Sequence, residues 1–121
     1  MAIQSLGYIG VNATSLISWR DFSCDIMGLE DVSAALGDEN THYYKMDTHP
    51  YRLVVQHSET DGLRLCGWET NNQAGLDEVA AALTAAKVPF AWGDDALITK
   101  RRVQNILSFT DPAGNHHEAY W

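Results

Sequence analysis

The chain reads as one pattern written twice, and a duplication restricts its folds more than any single motif does. Tyr8-Ile9-Gly10-Val11-Asn12 and Leu65-Cys66-Gly67-Trp68-Glu69 each precede a capped helix, and Asp47 to Gln56 overlays Asp111 to Tyr120 as a turn followed by a strand. A repeat of this length is a structural unit, and two copies must pack together to bury their sheet faces. The expected organisation is one domain over 1–121, made of two repeats at about 1–57 and 62–121. A chain of this size buries roughly two thirds of its extended surface, enough for one core.

Each half follows the same order of elements. Gln4 to Val11 alternates as a strand, with Leu6, Tyr8 and Gly10 on one face and Ile9 and Val11 on the other. Candidate caps at Asn12 to Ser15, helical spacing at Leu16, Trp19, Phe22, Ser23 and Ile26, and Gly28 as a left-handed stop predict a helix from about Ser15 to Met27. Leu29 to Leu36 is a weaker strand ending at the turn residues Gly37 to Asn40, and Thr41 to Met46 and Tyr51 to His57 are two more strands. The second half repeats this. It has a strand at Leu63 to Thr70, an amphipathic helix carrying Leu76, Val79, Ala80 and Leu83, and a short strand at Val88 to Trp92. A polar excursion at Asp94 to Arg102 precedes strands at Gln104 to Thr110 and in the closing residues. Both halves are βαβββ, so the fold class is α+β with mixed sheets.

Composition excludes several partners. Sixteen acidic and eight basic residues give a net charge of −8, which disfavours nucleic acid. The run Lys100-Arg101-Arg102 reads as a solvated face. No apolar run approaches the roughly 18 residues of a membrane span, and the start lacks a basic leader, so a cytoplasmic protein is expected. Cys24 and Cys66 lack metal-ligand spacing and read as buried thiols in a reducing compartment.

Chemistry concentrates at the end of the chain. Asp111-Pro112-Ala113-Gly114-Asn115 is turn-forming, and on the strand after it His116, Glu118 and Tyr120 share a face. Glu118 with His116 is the candidate metal pair, although a buried carboxylate is equally served by backbone amides or an arginine. His117 points the other way, toward solvent. His42, His49 and His57 border predicted loops and are expected to be exposed.

Several segments resemble a known family: Ser5-Leu6-Gly7-Tyr8-Ile9-Gly10, Trp19-Arg20-Asp21-Phe22, Met27-Gly28-Leu29, Arg52-Leu53-Val54-Val55, Gly67-Trp68-Glu69, Arg101-Arg102-Val103 and Asp111 to Asn115. Together they look like the N-terminal domain of type I extradiol ring-cleavage dioxygenases, of the 2,3-dihydroxybiphenyl 1,2-dioxygenase group. These belong to the vicinal oxygen chelate superfamily with glyoxalase I and bleomycin-resistance proteins. The resemblance implies two βαβββ modules whose sheets curve around a cavity. For the parent family it also implies Fe(II), sometimes Mn(II), held by two His and one Glu, a set that leaves positions open for catecholate and O₂. Carried onto this chain, the ligand positions are Tyr8, Val54, Leu65 and Glu118, so only Glu118 keeps a metal-binding side chain.

The resemblance therefore implies no catalytic residue and no cofactor in this chain, and a second, similar domain as the partner that carries the iron. A stand-alone homodimer binding a small apolar or aromatic molecule is the alternative, with Tyr8, Tyr44, Trp68 and Trp92 as candidate cavity-lining residues or core aromatics. A glyoxalase-like site completed between protomers is a third reading.

Overall fold

The structure, a computed structural model, describes residues 2–121. In chain order the elements are β1 (Ile3–Ala13), α1 (Leu16–Asp21) continued by a π-helical turn (Phe22–Ile26), β2 (Glu30–Asp31), α2 (Ser33–Leu36), β3 (Thr41–Lys45) and β4 (Leu53–His57). Next come β5 (Gly62–Thr70), α3 (Gln73–Ala85), β6 (Phe90–Trp92), α4 (Asp95–Arg101), β7 (Ile106–Thr110) and β8 (His116–Tyr120). The chain forms two compact units: Tyr8–Arg64, and the residues up to Gly7 together with Leu65–Trp121.

Within Tyr8–Arg64 the strand order is β2-β3-β4-β1, with β1 parallel to β4 and the other pairs antiparallel. Within the second unit it is β6-β7-β8-β5, with β5 parallel to β8 and the rest antiparallel. Each unit is thus a βαβββ module of the same topology, and the fold is α+β. The register makes the equivalence residue by residue: Gly10 faces Val54 in the first unit, as Gly67 faces Glu118 in the second.

One face of each sheet is covered by its helix. In the first unit Val11, Ala13, Leu29, Tyr44, Leu53 and Val55 are buried together, with Leu16 and Trp19 packed against them. In the second, Leu107 and Ala119 are buried with Leu76 and Ala80 of α3, flanked by Phe90 and Phe109. Period-two alternation puts Tyr8, Gly10, Tyr43 and Val54 on the face opposite the first cluster. It likewise puts Leu65, Gly67, Ser108 and Glu118 opposite the second.

Several elements differ from their sequence expectation. The first helix starts as expected, with Ser15 Oγ accepting from the Ser18 amide at 3.1 Å, but it widens to π geometry over Phe22–Ile26. Met27 N–H donates to Phe22 O, and Gly28 (φ +72°) then ends the helix as the left-handed residue. Leu29 to Leu36 is not one strand. Asp31 Oδ1 accepts from the Ser33 amide at 2.9 Å and starts the short helix α2, while Ser33 Oγ accepts from the Tyr43 amide. Strand β6 begins only at Phe90, because Val88 N–H still bonds Leu83 O, Lys87 is left-handed and Pro89 has no N–H. The polar excursion is a true helix, α4, capped by Asp94, whose Oδ1 accepts from the Leu97 amide at 2.9 Å.

Candidate functional site

The turn before β8 is held by one side chain. Asp111 Oδ1 accepts from the amides of Ala113 (2.9 Å) and Asn115 (2.8 Å), and its Oδ2 accepts from Asn115 Nδ2 (2.9 Å) and His117 Nε2 (2.9 Å). Gly114, at φ +90°, completes the reversal. Donation from His117 and then Asn115 holds the Asp111 carboxyl well below the usual carboxylate range. The clamped turn fixes the phase of β8, sending Glu118 to the face opposite α3, between Gly67 and Ser108.

Glu118 is 1% exposed, and its partner is Arg101. From the last turn of α4 the guanidinium donates Nε–H to Oε1 at 2.7 Å and Nη2–H to Oε2 at 3.0 Å. This is the fork-to-fork geometry that makes arginine the strongest neutral-pH partner of a carboxylate. Arg101 is itself buried, which corrects the reading of Lys100-Arg101-Arg102 as a solvated run: Lys100 and Arg102 are exposed and Arg101 is not. A signal was present in the sequence. Leu97, Ile98 and Arg101 stand at i, i+1 and i+4, one inward stripe of a short helix. His116 sits beside the pair, Nε2 at 3.7 Å from Glu118 Oε2, with its side chain 44% exposed.

His117 is also corrected. Its side chain is only 15% exposed, stacked between Trp68 (centroids 6.2 Å) and Phe109 (5.4 Å). His42 and His49 are half-buried rather than exposed: His42 Nδ1 lies 3.4 Å from Tyr44 Oη and His49 Nδ1 lies 2.8 Å from Arg52 Nη2. His57 is exposed as expected. Cys24 and Cys66 are free and half-buried, and burial pushes the Cys66 thiol up.

The four aromatic candidates fall in different settings. Tyr8 is buried on the face of Val54, its ring 5.4 Å from Tyr51, which in turn meets Tyr43 at 5.2 Å. Tyr44 lies on the opposite, helix-covered face, fully buried, and desolvation with a contribution from Asp31 pushes its phenol up to about 12. Trp68 donates its indole N–H to His117 Nδ1, and Trp92, on the edge strand β6, is 46% exposed. A groove of about 520 Å³ in the first unit, lined by Asn12, Thr14, Ser18, Trp19 and Asp61 among others, includes none of the four.

The iron of the parent family does not fit these residues. Arg101 engages both Glu118 oxygens, Leu65 offers no lone pair, and in the other module Val54 offers none either. Among the described residues no cluster of three or more His, Cys, Asp or Glu is arranged to hold an ion. No helix among them is long and apolar enough to cross a membrane.

Comparison with known proteins gives a consistent result. A family described as dihydroxybiphenyl dioxygenase BphC D1 matches residues 6–57. The chain is 39% identical over 120 residues to an iron-dependent extradiol dioxygenase of Rhodococcus jostii (strain RHA1), covering 99% of this chain and 39% of that protein. It is 35% identical over 121 residues to a 3-methylcatechol 2,3-dioxygenase of Pseudomonas putida, covering 100% of this chain and 40% of that one. Among solved structures, a catechol 2,3-dioxygenase superposes with a TM-score of 0.92 at 32% identity, over 99% of this chain and 40% of that chain. The chain therefore spans about 40% of the length of the relatives it matches.

Proposed function

We propose that this chain, a homologue of the N-terminal portion of extradiol dioxygenases of the vicinal oxygen chelate superfamily, serves such an enzyme as a non-catalytic domain. It supplies a βαβββ pair to an enzyme of aromatic catabolism that cleaves a catechol, a biphenyl diol or a polycyclic diol, and a second, similar domain carries the iron. The observation that supports this reading is the Arg101–Glu118 pair. At the position where the family places its carboxylate ligand, the carboxylate is already held by a guanidinium. What remains is a stable scaffold without a donor set for Fe(II).

The partner is a catalytic vicinal oxygen chelate domain or a second copy of the chain, in the cytoplasm. Exposed apolar side chains on α1 and its π-helical continuation, Ile17 and Ile26 at 74% and 75% exposure, are consistent with a surface that meets another body. The test is an assay of the purified chain, preloaded with Fe(II) without oxygen and then given O₂ with catechol, 3-methylcatechol or 2,3-dihydroxybiphenyl. The expected outcome is no yellow ring-fission product above the iron-only control. Turnover that disappears in Glu118→Gln would overturn the proposal. Sequencing the coding DNA beyond Trp121 gives a second test, since an in-frame domain with two histidines and a glutamate at ligand positions is expected there.

A further inference from the structure

Glu118 poses an electrostatic problem with two chemical solutions. A carboxylate this deeply buried persists as an anion only beside a cation, because the cost of desolvating it alone is several kcal/mol. A divalent ion is one such cation and a guanidinium is another. In this chain the second is present, with Nε 2.7 Å from Oε1 and Nη2 3.0 Å from Oε2, so both oxygens that a metal would use are taken.

A further donor stands at the same carboxylate. His116 Nε2 lies 3.7 Å from Oε2, on the same strand face two residues earlier. Two ligands of one tetrahedral ion, each about 2.1 Å from it, are roughly 3.4 Å apart. The His116–Glu118 separation is therefore close to what a shared ion requires. The imidazole is 44% exposed, which leaves an approach for the ion and room for water as its remaining ligands. Arg101, in contrast, would place a positive charge against any such ion.

We infer that Arg101 is the resident cation of a latent metal site formed by Glu118 and His116, and that the guanidinium and a divalent ion of the zinc or cobalt class are mutually exclusive occupants of it. Two donors, Glu118 and His116, remain side by side, and the guanidinium blocks them. The site uses His116 instead of the first-strand residue Leu65, so it differs from the arrangement that the family resemblance implies. The inference concerns three side chains of this chain alone, and it stands whether or not a catalytic domain accompanies it.

The test uses the full chain without a polyhistidine tag, apo and then titrated with Co(II), followed by visible absorption and by melting temperature. Wild type is expected to show no Co(II) d–d band and no shift in melting temperature. Arg101→Ala is expected to gain a band approaching one ion per chain and a Co(II)-dependent rise of several degrees. Both gains should vanish in Arg101→Ala combined with Glu118→Gln, and weaken at least tenfold with His116→Ala. If Arg101→Ala does not fold, Arg101→Gln, which retains a donor to the carboxylate, carries the same comparison. Equal uptake by wild type and variants, or uptake by neither variant, overturns the inference. Catechol cleavage by the wild-type chain would refute the proposed function and leave this competition to be decided by its own data.

Discussion

The indole N–H of Trp68 donates to Nδ1 of His117 at 2.9 Å. An indole nitrogen only donates, so Nδ1 carries a lone pair and the ring proton sits on Nε2, which donates to Asp111 Oδ2 at 2.9 Å. His117 is thereby fixed as the neutral Nε2–H tautomer between two aromatic rings. Long-range ¹⁵N–¹H correlation spectra at neutral pH are expected to show that tautomer; an Nδ1–H signal would contradict the assignment. Trp68→Phe removes the donor while keeping an aromatic ring, and should cost about 1 kcal/mol in denaturant unfolding.

Acid should act through Asp111. Its folded carboxyl titrates below the unfolded value of about 3.9, so its stabilisation is fully present above that pH and is lost as pH falls below it. Urea midpoints at pH 6 and pH 3 should therefore drop more in wild type than in Asp111→Asn. Asp47, also lowered, chiefly by Arg52, continues to contribute in both proteins. Equal drops would show that the turn clamp has no linkage to protons.

Arg101 and Lys100, adjacent in the basic run, should separate sharply under mutation. Arg101→Ala withdraws the bidentate partner of a buried carboxylate, for which losses of about 3–5 kcal/mol are usual. In a chain of this length that corresponds to a melting temperature lower by roughly 10 °C or more. Lys100→Ala, at an exposed position, should stay within about 0.5 kcal/mol. Joint replacement by Arg101→Met and Glu118→Leu should restore much of the loss, since an apolar pair needs no counter-charge. Differential scanning calorimetry of the four proteins decides this.

Gly7 is required by Tyr120. A Cβ at position 7 would collide with the Tyr120 hydroxyl and stand 2.6 Å from Cζ, and Tyr120 is buried at 7% exposure. Gly7→Ala should lower stability by about 1–3 kcal/mol, the usual cost of overpacking. Adding Tyr120→Phe removes the hydroxyl and should recover part of that loss, with the residual contact accounting for the rest. Unfolding midpoints that are unchanged by Gly7→Ala would contradict this packing.

The duplication was legible because it rests on short-range signals. Caps at Ser15 and Asn72, the left-handed Gly28 and the alternation of β1 and β5 all act within a few residues, and the register of Gly10–Val54 and Gly67–Glu118 follows from them. Glu118 was legible as a position, through the Asp111 turn that sets its phase. Its partner was not, because Arg101 reaches it from a helix seventeen residues earlier and its neighbours Lys100 and Arg102 are exposed. The same limit explains His117. Alternation correctly sent it to the face opposite Glu118, but whether that face meets water or an aromatic sandwich depends on Trp68, forty-nine residues away. Leu29 to Leu36 departs from a continuous strand for a local reason, since Asp31 and Ser33 favour a helical start that competes with a strand.

With Arg101 already neutralising its carboxylate, the Glu118 position should be closed to iron. The most direct measurement is iron content after anaerobic incubation of the untagged chain with excess Fe(II) and desalting, compared between wild type and Glu118→Gln. Far less than one iron per chain is expected in both, with no difference between them. Close to one iron per wild-type chain, lost in Glu118→Gln, would contradict this.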